Sequence, residues 1–251
     1  TNLGWALGPA LGGFLSLGSY SAMFFATAIV FCFSAVFLKA ALGAEPVAHH
    51  HKEFSLAVLK EAVAEPRFLR LGFAVFLIAM AASQLVAGTS LYAIHYVGIS
   101  IKQVGFLFSL NGFMVVLLQY PAAKYPRAMR VSVKMAAGCL LYCAGYLLMG
   151  FSRNFEMLAL GMAVVTLGEV AVSPGLQTLA ANIARPGMHG SYQGITGLFQ
   201  HAGVFVGVLL CGVNMDYLAS FWPPLAWMAV GAVAVAASSG FYALRRRLSQ
   251  K

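Results

Sequence analysis

Glu169 stands apart from the other acidic residues of this chain. It lies near the middle of an apolar run, 156–180, that has the length of a membrane span. A carboxylate at the bilayer centre costs roughly 2.5–3.5 kcal/mol on insertion scales, so a residue kept there is a functional candidate. A carboxyl that takes up and releases a proton as water reaches it from alternate sides could drive a coupled step. Thr166, Glu169, Ser173 and Gln177 follow one another at helical steps of three, four and four, which places them on one helix face. A polar face of this kind is expected to meet a wet interior rather than lipid. The competing reading is a protonated Glu169 bonded to a neighbouring helix for stability. His201 falls at a similar depth in the run 190–214, beside Gln200, where Gln193, Thr196 and Gln200 make a second polar stripe. Histidine titrates near neutral pH, so His201 could pair with Glu169, relay its proton, or join two helices as a neutral group. Gln84 in the run 68–94 and Asn111 in 102–122 are lone amides among apolar neighbours. Amides both donate and accept, which suits an uncharged or cationic substrate; bonding between helices is the alternative. The candidate proton-coupling residues are thus Glu169 and His201. The candidate substrate-cavity residues are Gln84, Asn111, Thr166, Ser173, Gln177 and Gln200.

The elements that carry these groups are membrane helices. The 251 residues are 61% hydrophobic and only 9% charged, with a mean hydropathy of +0.82. A water-soluble surface needs about 25% charged residues, so the class is integral membrane protein, all-α. Eight spans are expected, at 1–17, 20–40, 68–94, 102–122, 131–150, 156–180, 190–214 and 222–244. The second, fifth and eighth carry little polar content and read as lipid-facing. With this count, all of the 16 Lys and Arg residues except Lys102 and Arg153 fall on one side. That asymmetry puts the polar loop 43–67 and the C-terminus in the cytoplasm. It also explains the net charge of +9 without nucleic acid. Cys32, Cys139, Cys143 and Cys211 sit in apolar stretches and read as small buried hydrophobes. No phosphate-binding loop and no hydrolytic constellation is present, so neither an ATP-driven pump nor an enzyme is expected, and no cofactor.

The loop 43–67 interleaves Phe54, Leu56, Val58 and Leu59 with charge, as in an amphipathic helix at the membrane surface. His49, His50 and His51 are adjacent, so they do not converge as metal ligands on a helix, and no metal site is expected. Pro66 is expected to start the next helix. A shift of 199 positions sets Gly4 on Gly203, Gly8 on Gly207, Leu11 on Leu210 and Gly13 on Gly212. Parallel repeats of a helical bundle are an architecture of secondary transporters, with the substrate site at the midplane between halves.

The first span reads Gly4-x-x-x-Gly8-Pro9-x-x-Gly12-Gly13. Its glycines bare one helix face for close approach of another helix, and Pro9 bends it there. This segment resembles the fifth helix of the major facilitator superfamily, in the G-x-x-x-G-P-x-x-G-G form that marks its drug–proton antiporter branch. Gly168-Glu169 with Ser173-Pro174 resembles that superfamily's tenth helix, and Pro186-Gly187-Met188-His189-Gly190-x-x-x-Gly194 the loop into its eleventh. The turn Gln119–Arg127 is similar to the basic loop after the eighth helix, keeping Lys124 and Arg127 but with Ala123 where an Asp is expected and Pro126 in place of Gly. The resemblance implies a helical bundle holding helices five to twelve. Residues 1–40 would be the last two spans of an N-terminal half, 41–67 the cytoplasmic interdomain loop, and 68–251 the C-terminal six-helix bundle with its basic tail. It implies proton-coupled export of small amphipathic compounds by alternating access, in the cell membrane. The partners would be substrate, proton, the lipid bilayer and the four earlier helices. A proton-coupled nutrient or peptide symporter is the alternative transport reading, and a truncated, non-transporting membrane protein the alternative of another class.

Overall fold

The computed structural model describes residues 4, 8, 12, 19–42, 60, 62–124, 129–185 and 187–245. Among them it forms helices and no strand: α1 (Tyr20–Leu42), α2 (Pro66–Ser83), α3 (Ala87–Tyr92), α4 (Ile101–Lys124), α5 (Val131–Gly150), α6 (Phe155–Ile183), α7 (His189–Val213) and α8 (Pro223–Leu244). Two π-helical turns, Ala93–Val97 and Asn214–Ala219, prolong α3 and α7. Seven helices of the described residues are long and apolar enough to cross a membrane, α2 and α3 counting together as Pro66–Val97. They coincide with the second to eighth expected spans. The expected first span lies outside the described residues save for Gly4, Gly8 and Gly12, which are helical and have nothing within 4 Å of where a Cβ would stand. Pro9 and Gly13 lie outside the described residues, as do the three histidines and most of the surface helix expected in the loop.

Local chemistry sets the helix ends. Pro66 opens α2 and Pro223 opens α8 at positions where a missing amide hydrogen costs nothing. Asn154 caps α6, its side chain accepting from the Met157 amide at 3.0 Å. Gly98, at φ 75°, closes the turn after α3, and Gly187, at φ 78°, shapes the approach to α7; both are in the left-handed region that glycine enters without strain. Pro174 lies inside α6, tolerated there because packed neighbours support the freed backbone.

Packing runs in a ring. α5 packs on α6 and α8, α8 on α2, α2 on α7, α7 touches α6, and α4 lies along α6. The seam between α5 and α6 is built from glycine. Gly138 and Gly145 on α5 oppose Gly168 and Gly161 on α6, where a Cβ on Gly168 would meet the Gly138 carbonyl oxygen at 2.6 Å and one on Gly145 the Gly161 oxygen at 2.8 Å. Met149 fills the space beside Gly161, and Met135 that beside Gly175. Glycine every seven residues keeps one seam facing its partner along antiparallel helices that cross at a small angle, and close backbone approach is a driver of helix association in lipid. A second seam joins α2 and α7: Gly203 lies against the Phe76 carbonyl, and a Cβ on Gly207 would come 2.5 Å from the Met80 oxygen.

α5 and α8, read as lipid-facing from their low polarity, expose Leu140, Met228 and Val235 on one side. Each buries one whole face, with Tyr146, Trp227 and Phe241 fully enclosed. Nearly all the described side chains of α1 are exposed, Phe25, Phe31 and Phe33 among them.

Candidate functional site

The buried face of α4 carries Val104, Leu107, Asn111 and Val115. Their spacing of three or four residues turns Asn111 toward α6, against which α4 packs. There the Asn111 side-chain nitrogen donates twice, to Thr166 Oγ1 at 2.9 Å and to Glu169 Oε2 at 2.8 Å. The Thr166 hydroxyl in turn donates to the Met162 carbonyl of its own helix at 2.8 Å. Its proton being committed, Thr166 offers Asn111 an acceptor, and this holds the amide with its NH2 toward the carboxyl. Asn111 and Thr166 are buried and Glu169 is half-buried. Beyond it Ser173 and Gln177 are exposed. The stripe thus runs from a sealed end at Thr166 to an open end at Gln177 over about 16 Å of helix. Chemically, the arrangement presents a carboxyl with one oxygen anchored by a donor and a polar path leading away from it.

The other expected site residues separate from this group. Gln84, 4% exposed, donates from Nε2 to the Gly207 carbonyl at 2.6 Å, across the α2–α7 seam. Its Oε1 has no hydrogen-bond partner among the described residues. Gln84 lines an apolar cavity of about 330 Å³ between α2, α7 and α8, together with Met80, Leu210, Asn214 and Val233. Gln193 Nε2 donates to the Gln177 carbonyl at 2.8 Å, tying α7 to the open end of the stripe. Gln200 is half-buried, and His201 is exposed. Among the described residues no hydrogen bond joins His201 to Glu169, so the pair that the sequence allows is not formed here.

An aromatic column begins at Tyr142, which lies against Gly168 of α6. Ring centroids are 5.9 Å apart for Tyr142–Tyr146, 5.3 Å for Tyr146–Trp227, 5.4 Å for Trp227–Tyr92 and 5.4 Å for Tyr92–Tyr96. Tyr146 donates to the Ala81 carbonyl at 2.7 Å, Tyr92 to the Gly150 carbonyl at 2.7 Å and Tyr96 to the Met215 carbonyl at 2.9 Å. These bonds pin α5, α3 and the turn after α7 into one frame. Sequence reasoning passed over this column; its signal was the pairing of Tyr142 with Tyr146 and of Tyr92 with Tyr96, each one helical turn apart. No group of three or more metal-ligating side chains occurs among the described residues.

The sequence profile of the Major Facilitator Superfamily matches residues 1–208 and, in a second placement, 93–250. The chain belongs to the major facilitator superfamily. It is therefore a multi-pass membrane protein with that superfamily's helical architecture. It is similar to the multidrug resistance protein MdtH of Aeromonas hydrophila, 31% identical over 134 residues that make up 53% of this chain and 34% of that protein. It is also similar to the uncharacterized MFS-type transporter YdeE of Escherichia coli, 27% identical over 247 residues, 94% of this chain and 60% of that protein. Its fold matches the crystal structure of a POT family transporter in complex with a thioalcohol-conjugated peptide, at a TM-score of 0.64 and 12% identity, over 92% of this chain and 56% of that one. The chain spans at most about three fifths of the length of these relatives.

Proposed function

We propose that the chain is part of a proton-coupled exporter of small amphipathic compounds, working by alternating access. The observation that carries this reading is Glu169, held mid-helix by Asn111 and opening along Ser173 and Gln177 to an exposed polar face. A carboxyl placed there can load a proton on one side and release it on the other. Each proton moved down 100 mV makes about 2.3 kcal/mol available. The similarity to a multidrug resistance protein supports a broad, apolar substrate class, which Met-rich and apolar surfaces accommodate by repacking. In this reading α4, α6 and α7 line the C-terminal side of the cavity. The bias of Lys and Arg supports a cytoplasmic location for the ends of α2 and α6 that carry Arg67, Arg70 and Arg185.

The test is proton movement in everted membrane vesicles carrying the protein, followed with a pH-sensitive dye. Addition of a cationic amphipathic dye should release protons from the vesicle lumen, and Glu169→Gln should abolish that release with membrane levels unchanged. Unaltered release in the Gln variant would remove Glu169 from the mechanism. Proton and substrate moving in the same direction would turn the reading to symport. No substrate-dependent flux in the unmodified protein would leave the non-transporting reading in place.

A further inference from the structure

We infer that the groove between α2 and α8 holds one anionic phospholipid, with its acyl chain along the groove and its phosphate on Arg70. The groove has a volume of about 610 Å³ and is walled by Leu69, Phe73 and Leu77 of α2 and Ala236, Gly240 and Ala243 of α8. Its α2 wall covers about 12 Å of helix axis. Arg70 and Ser239 are its polar members.

The two helices run antiparallel, since Gly240 lies against Ala74 near the start of α2 while Met80 and Ala81, farther along α2, share a cavity wall with Ala229 and Val230 near the start of α8. Arg70 therefore stands at the same end as the last turn of α8. Arg130, whose Nη1 donates to the Arg245 carbonyl at 2.9 Å, brings the start of α5 to that end as well. Arg67, Arg70, Arg130 and Arg245 thus lie at the end of the bundle where α2 begins and α8 finishes, while Lys134 donates to the Ala122 carbonyl of α4 and the acid described at the start of α2, Glu65, faces the Tyr192 hydroxyl at 3.5 Å. Arg70 is exposed and, among the described residues, has neither hydrogen bond nor ion pair.

A free guanidinium at the mouth of an apolar channel calls for a ligand with two parts. A guanidinium binds a phosphate by two parallel hydrogen bonds, and the walls below it need hydrocarbon. A phospholipid supplies both in one molecule, and basic pockets between membrane helices are a recurrent seat for anionic headgroups. A zwitterionic lipid brings its own ammonium group to the phosphate and gains less from a cationic rim. This site shares no residue with the Glu169 group and stands whether or not the chain transports protons.

The test is native mass spectrometry of the purified chain exposed to equal amounts of phosphatidylglycerol and phosphatidylcholine. The unmodified chain should retain the anionic lipid about fivefold over the zwitterionic one, the preference expected for one such cation near the bilayer surface. Arg70→Gln should bring the ratio to parity, Arg70→Lys should leave part of the preference, and Ala243→Phe should reduce retention of both lipids by filling the groove. Unchanged thermal unfolding midpoints for these exposed positions show that folding is intact. Equal retention by the unmodified chain would overturn the proposal, as would a preference that survives Arg70→Gln or retention that survives Ala243→Phe. Displacement of the lipid by millimolar inorganic phosphate would reduce the site to a bare anion contact and overturn it equally.

Discussion

One amide nitrogen serves two acceptors at the centre of α6, the bonding between helices that stood beside substrate contact in the sequence reading of Asn111. Asn111→Leu would leave Thr166 and Glu169 without their donor. The expected loss is about 0.6–1.7 kcal/mol, the range for hydrogen bonds between membrane helices, read as a lower unfolding midpoint in detergent. Thr166→Val keeps the bond to Glu169 and frees the amide to turn, so it should impair substrate-driven proton flux less than Asn111→Leu does. If flux in Thr166→Val equals that of the unmodified protein, the orientation argument fails. His201 is exposed and unbonded to the carboxyl, so His201→Ala should leave the pH profile of flux in place, and a displaced profile would restore it as a relay. The stripe from Thr166 to Gln177 was legible because helical spacing alone puts those residues together. The bond from Asn111 was not, because no local pattern says which neighbour a lone amide on α4 will meet.

At the level of helices, the spans were readable from length and hydropathy, and Pro66 marks a start that the backbone then takes. The glycine seams were half visible. The repeat drew Gly203 and Gly207 out of α7, and both prove to be points of backbone contact with α2. The heptad of Gly161, Gly168 and Gly175 went unread because glycine is frequent in membrane helices and its spacing stands out only against a partner. Gly168→Val would drive a branched side chain into the Gly138 carbonyl, and overpacking of this kind costs on the order of 1–3 kcal/mol. Gly194, with nothing within 4 Å of its Cβ position, is the control. Gly194→Ala should leave stability equal or higher by roughly 0.5–1 kcal/mol. Comparable loss at both positions in a thermal unfolding assay would show that the seam is not what holds α5 to α6. The low polarity of α5 and α8 pointed to their exposed sides and gave no sign of the aromatic column buried on the other.

At the scale of the whole molecule, the distribution of basic residues makes an orientation testable. With the exposed thiol of Cys32 replaced by Ser, Arg153→Cys should react with a membrane-impermeant maleimide in intact cells, while Arg185→Cys should react only after the cells are opened. The reverse pattern would invert the topology and the direction assigned to proton flow. In the proposed alternating access, rocking of two halves requires that each half keep its shape, and the backbone-to-backbone contact between α5 and α6 bears on how such a motion would be observed. Because backbone meets backbone at Gly138–Gly168 and at Gly145–Gly161, those two helices should travel as one solid piece. Paired spin labels on their outer faces would therefore keep a constant separation through every stage of a transport cycle. Such a pair supplies an internal ruler against which displacement of any other helix can be measured.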